Sequence, residues 1–544
     1  MSPGSRNAPI LVALAACDKI KKTVVIDERS AAFIALGKAA LSDTPVALVC
    51  TSGTAVLNYS PAVAEAYYRM LPLIVISADR PMEWIDQDDS QTLRQYEALS
   101  HYVKRSYNLP SFSTENNILW YSNRVINDAL ICATNGRKAP VHINVQLDEP
   151  LNGTRKPGSS KWIDRVIDNM PVDKTLSPEL ADRIVAAMSL SKVMIIGGFH
   201  APDKRLDESL RLLAKKSNIV VLTEKMANVS SPDYIDCIDA TLSVMPDEDR
   251  DAYVPDIVIT FGGALVSRMV KAFLRQNDVR EHWHVGESEN TIDCFQSLTS
   301  TVNMPAVDFF SAVSSAYSHE ASGSSGYRSL WRVLSEKGQA LHRLYIDSSP
   351  WSDLKAMEYV FENLPDGCNV QLSNGTSVRY AQLFKVPSSV RFDSNRGVSG
   401  IDGTTSTAIG ASTVTDRLTI LITGDMSVQY DLSAFSAPGI GGNFKMIVLC
   451  NGGGGIFRFI KSTSSLPQLE EYFVVDRHFP LKSIAEAYGF DYCECSSEKE
   501  LREIYPQFLS RRDAPSVMSI VTDGELSAKV LRDYFSKKLN LLGK

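Results

Sequence analysis

Two oxygen-bearing side chains stand at the ends of two apolar, strand-like runs. Asp425 closes TILITGD, and Asn451 closes MIVLCN just before the glycine run GGGGIF. A helical segment separates the two runs, so the pattern predicts a parallel β-α-β crossover with both side chains at the carboxyl edge of one sheet. Open α/β sheets bind ligands at that edge. A carboxylate and an amide oxygen beside a turn that bares its backbone would suit a hard cation carrying a diphosphate. Mg2+ takes oxygen ligands at about 2.1 Å and shares them with phosphates. A helix-capping aspartate followed by a glycine-rich turn would give the same pattern, so this motif alone leaves both readings open.

A second acid, Glu28 in IDERS, lies where an apolar run meets a helical pattern. A helix N-terminal acid stabilised by the dipole accounts for it equally well. Neither metal-ligand spacing nor paired cysteines add to this chemistry. The nine cysteines are scattered, and Cys493 and Cys495 share one face of a short strand, DYCEC. His282 and His284 in EHWHV likewise fit alternate positions on a strand. A reduced, cytoplasmic protein is expected.

The elements that must position these residues alternate strand and helix throughout. The chain has 544 residues, 44% hydrophobic and 22% charged, as expected of a globular protein of about three domains. A net charge of -7 gives no electrostatic case for nucleic acid or an anionic membrane as partner, and no apolar run is long enough to span a bilayer. The alternation predicts an α/β protein of three doubly wound parallel-sheet domains, with boundaries at 1–151, 162–345 and 352–544. In the first, TVVIDERS, PVALVC, LPLIVISADRP and APVHINV read as strands. In the second, KVMIIGGFH, NIVVLTEKM, DIVITFGG and EHWHVGES do so; its GG pairs lack a full GxGxxG, which argues against a dinucleotide site. LNGTRKPGSSK reads as a linker and SHEASGSSGYRS as a surface loop.

Short motifs then accumulate: PGSR at Pro3–Arg6, DER at Asp27–Arg29, TSGTA at Thr51–Ala55, SADRP, SNRGVSGIDG at Ser394–Gly403, GDMS and NGGGGIF. Together they resemble the thiamine diphosphate enzymes, and within these the 2-succinyl-5-enolpyruvyl-6-hydroxy-3-cyclohexene-1-carboxylate synthases of menaquinone biosynthesis. The resemblance covers nearly the whole chain and is weakest in the middle. It implies a pyrimidine-binding, a central and a diphosphate-binding domain, with sites between the first domain of one subunit and the third of its partner in a homodimer or homotetramer. It implies thiamine diphosphate with Mg2+, or Mn2+, as cofactors. The implied reaction decarboxylates 2-oxoglutarate and adds the succinyl-semialdehyde carbanion equivalent to isochorismate. Another 2-oxoacid decarboxylase, an acetolactate synthase or an inactive metabolite-binding paralogue would share part of this pattern. The first two would not need so many arginines.

Carried over by position, the resemblance makes Glu28 the partner of the aminopyrimidine ring, with Gln91 and Arg396 as further catalytic residues. Arg6, Arg80, Arg94, Arg268 and Arg379 become substrate-binding, and guanidinium groups suit dicarboxylates. Thr51, Ser52, Gly53, Asn374, Ile401, Gly424, Asp425, Ser427 and Gly453 become cofactor-binding, with Asp425, Asn451 and the Gly453 carbonyl on the metal. Several positions depart from the family pattern. Met426, Cys450 and Gly452 alter the metal loop, Arg268 replaces a lysine, and Gly375 stands where a serine is frequent. The chain also begins almost at PGSR, where the family has a helix and a strand first; an unpaired gap in the first sheet and a start codon assigned too late are therefore expected.

Overall fold

The computed structural model describes residues 1–111, 115–149, 151, 164–317, 326–476 and 479–537. Three sheets, each parallel throughout, stand in chain order. The first comprises β1 (Val46–Cys50), β2 (Leu73–Asp79), β3 (Ser106–Leu109) and β4 (Val141–Gln146), ordered β1-β2-β4-β3. The second comprises β5 (Val193–Gly197), β6 (Ile219–Thr223), β7 (Ile257–Phe261), β8 (Glu281–Val285) and β9 (Ser300–Val302), ordered β6-β5-β7-β8-β9. The third comprises β10 (Asn369–Leu372), β11 (Arg391–Ser394), β12 (Thr419–Gly424), β13 (Phe444–Cys450), β14 (Asp491–Cys495) and β15 (Ser516–Val521), ordered β11-β10-β12-β13-β15-β14. The central strands are apolar along nearly their whole length because helices cover both faces. The expected α/β architecture of three parallel sheets is the one observed.

The differences have local causes. TVVIDERS forms no strand: Val24 and Ile26 are exposed, and Asp27 instead caps the helix Glu28–Ser42 through the Arg29 and Ser30 N–H groups. The outer edge of β1 is met by the chain's first residues, where Ser2 N–H donates to Val49 and Val25 N–H donates to Met1. With a single such bond on that side, residues 23–25 have no ladder to join, and the expected gap beside β1 is partly filled by Ser2. Strands β3 and β9 went unread in the sequence because they are short edge strands with polar residues. The expected linker and surface loop fall mainly on 152–161 and 318–325, outside the described residues. His282 and His284 do share one strand face, and both bond the Thr260 hydroxyl, at 2.9 and 3.0 Å. All nine cysteines are free.

The first and third domains meet where the helix Glu28–Ser42 crosses the helix Thr404–Ser412. A Cβ on Gly37 would lie 1.9 Å from the Thr407 carbonyl oxygen, and one on Gly410 would lie 2.1 Å from that of Ile34. Arg391 then caps the first helix by donating to Ala40 at 2.7 Å and Leu41 at 3.3 Å. The central domain is tied to the third by Asn228, whose side chain exchanges both hydrogen bonds with the backbone of Phe392, at 2.8 and 2.9 Å. Because backbone cannot yield as a flexible side chain does, Gly410→Ala should force these helices apart. A loss of about 1–3 kcal/mol is expected, read as a lower urea midpoint with unchanged secondary structure. An unchanged midpoint would rule out so close a crossing.

Candidate active site

One group of polar residues gathers at the carboxyl edge of the first sheet. The turn Thr51–Gly53 follows β1, and its Ser52 carbonyl accepts from Gln91 at 2.7 Å while Gly53 N–H donates to Gln95 at 2.6 Å. Gly53 takes φ +80, and a Cβ there would strike Gln91. Arg6 is buried, bonds the Leu147 carbonyl at 2.9 Å and pairs with Glu149 at 3.0 Å. Arg80, just past β2, pairs with Asp89 at 2.6 Å and keeps a buried Nε without a hydrogen-bond partner among the described residues. Glu28 is half-buried, and that burial pushes its carboxyl up from the ordinary range; its own backbone N–H pulls the other way, and the charge of Asp27 adds to the rise. Its charge reaches Cys50 and Tyr59, so it too belongs to the β1 end of this domain.

A second group forms around Asn374, just past β10. Its side-chain amide donates to the Asn395 and Gly400 carbonyls, both at 2.7 Å, and its oxygen accepts from Arg396 at 2.8 Å. That pivot shapes the whole SNRGVSG loop. Arg379 bonds the Gly375 carbonyl one helical turn before it. Burial first, then the neighbouring charges of Arg268 and Arg396, together lower Arg379 to about 10, with Asp239 opposing. Arg396 is lowered by burial, and Glu224, Glu65 and Arg268 act on it. Its Nε is buried without a partner among the described residues. Arg268 is exposed at the mouth of this group. Three guanidinium groups thus crowd one half-open site, an arrangement that a ligand with two carboxylates would relieve.

The third group is the crossover between β12 and β13. Asp425 and Asn451 do stand together at the carboxyl edge, because β12 and β13 pair in register from Thr419 with Phe444 to Gly424 with Leu449. The Asp425 oxygens accept from the Met426 and Gly453 N–H groups at 2.7 and 3.0 Å. Burial raises this carboxyl to about 6 against those hydrogen bonds. Asn451 donates its amide to Asp353 at 2.7 Å, which fixes its oxygen as the free acceptor. Gly453 holds φ +104, and a Cβ there would lie 2.2 Å from the Val474 carbonyl oxygen, so only glycine fits. Ser427 bonds the Ile401 carbonyl at 2.7 Å, joining this group to the SNRGVSGIDG segment. Carboxylate, amide oxygen and the Gly453 carbonyl, which accepts from Gly455 N–H at 2.8 Å and keeps a second lone pair, make an oxygen donor set that fits a hard cation and a diphosphate.

Comparison with known proteins bears on what these groups serve. The chain matches the family models for the N-terminal TPP binding domain of thiamine pyrophosphate enzymes over residues 1–98, for their middle domain over 168–336, and for their C-terminal TPP binding domain over 374–520. It is 40% identical to the 2-succinyl-5-enolpyruvyl-6-hydroxy-3-cyclohexene-1-carboxylate synthase of Porphyromonas gingivalis, over 98% of this chain and 93% of that protein. It is 37% identical to the synthase of that name from Flavobacterium johnsoniae, over 99% of this chain and 95% of that protein. The chain belongs to this synthase family. Its cofactor is accordingly thiamine diphosphate.

Of the positions that the synthase family resemblance singled out, Arg6, Glu28, Thr51, Ser52, Gly53, Arg80 and Gln91 lie on the first domain's edge. Asn374, Arg379, Arg396 and Arg268 form the arginine group, and Ile401, Gly424, Asp425, Ser427, Asn451 and Gly453 surround the crossover. Arg94 stands apart, exposed and paired with Asp86 at 2.7 Å. No hydrogen bond or ion pair among the described residues joins the first-domain group to the other two. Sequence reasoning missed the buried Asp353 and Glu224 and the half-buried Asp239. Asp353 looks like an ordinary helix N-terminal acid after Ser352, yet it orients Asn451 and accepts from Thr522 at 2.5 Å. Glu224 follows β6 directly, and an acid at a strand's carboxyl end was the available signal.

To serve as a cation ligand, Asp425 would have to give up its proton. Mg2+ affinity in the presence of thiamine diphosphate should therefore be level above pH 7 and decline below the raised value of about 6. Titration calorimetry across pH 5 to 8 checks this, and Asp425→Asn should weaken binding at every pH while leaving only the shallower decline that comes from protonation of the diphosphate itself.

Proposed function

We propose that this protein decarboxylates 2-oxoglutarate and joins the remaining four-carbon unit to isochorismate, giving 2-succinyl-5-enolpyruvyl-6-hydroxy-3-cyclohexene-1-carboxylate. It is a thiamine diphosphate-dependent transferase of menaquinone biosynthesis. The observation that carries the assignment is near full-length kinship with the synthases, and the crowding of Arg268, Arg379 and Arg396 gives it a physical reason. Both substrates are dicarboxylates, and bidentate guanidinium pairs recognise carboxylates while staying charged when buried.

Thiamine diphosphate, when bound, supplies the electron sink for loss of CO2 and for the new carbon–carbon bond. The residues of this chain do the rest. Asp425, Asn451 and the Gly453 carbonyl would hold Mg2+, or Mn2+, against the diphosphate, with Asp353 keeping the Asn451 oxygen forward. Asn374, Ile401, Gly424 and Ser427 would flank the cofactor. Glu28 holds the proton shared with the pyrimidine ring, a task suited by its upward shift through burial. Thr51, Ser52 and Gly53 would line the ring, and Gln91, tied to Ser52, would stand beside the reacting carbon. Arg6, Arg80 and Arg94 of the first domain and the arginines of the second group would take the substrate carboxylates, with Arg396 nearest the chemistry.

Among the described residues no hydrogen bond or ion pair joins the named first-domain residues to Asp425, Asn451 or Gly453, although Arg29 donates to the Tyr430 carbonyl at 2.8 Å, and Ile26, Met82 and Trp84 expose apolar surface beside Glu28 and Arg80. Both features support self-association, as a homodimer or homotetramer, in which each site takes its two halves from different copies. Nine free thiols suit a reducing compartment and support a cytoplasmic location. No described helix is long and apolar enough to cross a membrane.

With thiamine diphosphate, Mg2+, 2-oxoglutarate and isochorismate, the purified protein should release CO2 and consume isochorismate, followed by absorbance and mass spectrometry. Equal turnover with pyruvate in place of 2-oxoglutarate would favour an acetolactate synthase-like reading. Glu28→Gln should cut kcat by at least about a hundredfold with the fold intact. Near-normal turnover would remove Glu28 from its role.

A further inference from the structure

We propose that Glu224, in the central domain, is a positioning residue for the arginine group: its carboxylate holds the backbone turn that presents Arg268 and sets that turn opposite Arg396. The inference rests on the reading that this group receives a substrate carboxylate.

Glu224 is buried immediately after β6. One of its oxygens accepts from Val266 N–H at 2.8 Å and Ser267 N–H at 2.7 Å, and the other reaches Val266 N–H at 2.8 Å. Two consecutive backbone donors on one carboxylate fix the plane of that turn, and the next residue is Arg268. A second, half-buried acid grips the same turn. Asp239, on the helix Ile238–Leu242, accepts from the Ser267 hydroxyl, which also caps the helix Arg268–Arg275 through Val270 N–H at 3.1 Å. The two acids also divide the cations between them: Glu224 acts on Arg396, and Asp239 acts on Arg379. Lys271, one turn along that helix, bonds the Leu265 carbonyl at 2.8 Å and faces Glu224. Three arginines and Lys271 against the three acids Glu224, Asp239 and Glu65 still leave a positive charge for a carboxylate.

An amide cannot replace this carboxylate, because its nitrogen would face a backbone donor. Protonation acts the same way by removing one accepting oxygen. Burial raises Glu224 to about 7, against the hydrogen bonds from Ser267 and Val266; the charged and titratable groups facing it are Asp239, Arg396 and Lys271. The turn is therefore held firmly above pH 7 and loosens below it.

Steady-state kinetics of the holoenzyme test this with both substrates varied. Glu224→Gln should raise KM for at least one dicarboxylate by about tenfold or more, with kcat changed less than about threefold. In the wild type kcat/KM for that substrate should fall as pH drops through 7, and the variant should lose that limb. Ser267→Ala, which keeps both backbone donors, should raise the same KM by a few-fold, and it serves if Glu224→Gln fails to fold. Arg379→Ala separates the two readings. If it raises KM while Glu224→Gln and Ser267→Ala leave KM and the pH profile unchanged, the role of Glu224 is overturned alone. If Arg379→Ala also leaves KM unchanged, the arginine group is not the substrate site.

Discussion

Arg379 and Arg396 repel one another and Arg268 in a half-open pocket, and the fold tolerates this only because acids reach the pocket from other domains. Like charges within a few ångströms disfavour ionisation, most of all where water is scarce. Here Glu224 and Asp239 come from the central domain, while Glu65 comes from the first. Glu65 grips the Arg396 loop directly, accepting from the Gly397 and Val398 N–H groups, both at 2.7 Å. Arg69, one turn along its helix, adds a 2.6 Å pair with Asp393 and lies over the Phe199 ring of the central domain. All three domains thus converge on one loop, so the position of Arg396 reports how they are docked.

Docking at that precision demands close backbone approach. Gly37 and Gly410 allow the helices Glu28–Ser42 and Thr404–Ser412 to touch at their carbonyls, where any Cβ would intrude. The same economy governs the crossover loop, where Gly453 passes under the Val474 carbonyl and carries its own N–H to Asp425. The substituted positions in this loop do not disturb that arrangement. Met426 contributes its backbone N–H, the Cys450 thiol turns away to Ser519 at 3.1 Å, and Gly452 adopts a left-handed φ of +81. The three departures in this loop therefore fall on positions where backbone matters more than side chain.

Much of this was legible in the chain itself. Near-continuous apolar runs such as ILIT and MIVL mark strands buried on both faces, and their alternation with helical patterns fixes parallel sheets. Asp425 and Asn451 could be placed at one sheet edge from the crossover alone. TVVIDERS misled for an instructive reason: its residues have strand propensity, but the neighbouring edge is held by Met1 and Ser2, and propensity yields to available partners. The strands β3 and β9 are too short for their few apolar residues, Tyr107 and Leu109 in β3 and Val302 in β9, to stand out as a strand pattern.

The sequence by itself determined the three-sheet architecture, the chemistry of the motifs and the family, because those depend on periodicity and on residues close along the chain. Asp425 and Asn451 are an ambiguous pair as a motif and a metal pair by the family resemblance; the tertiary structure adds Asp353, from a distant segment, which turns the amide oxygen forward. The roles of Glu65, Glu224 and Asp239 were decided by tertiary structure alone. Each is an unremarkable acid in its own segment: Glu65 meets donors in another domain, and Glu224 and Asp239 hold a turn of their own domain against arginines of the third. Local pattern cannot encode which buried carboxylate will face which guanidinium, since that follows from how the domains pack.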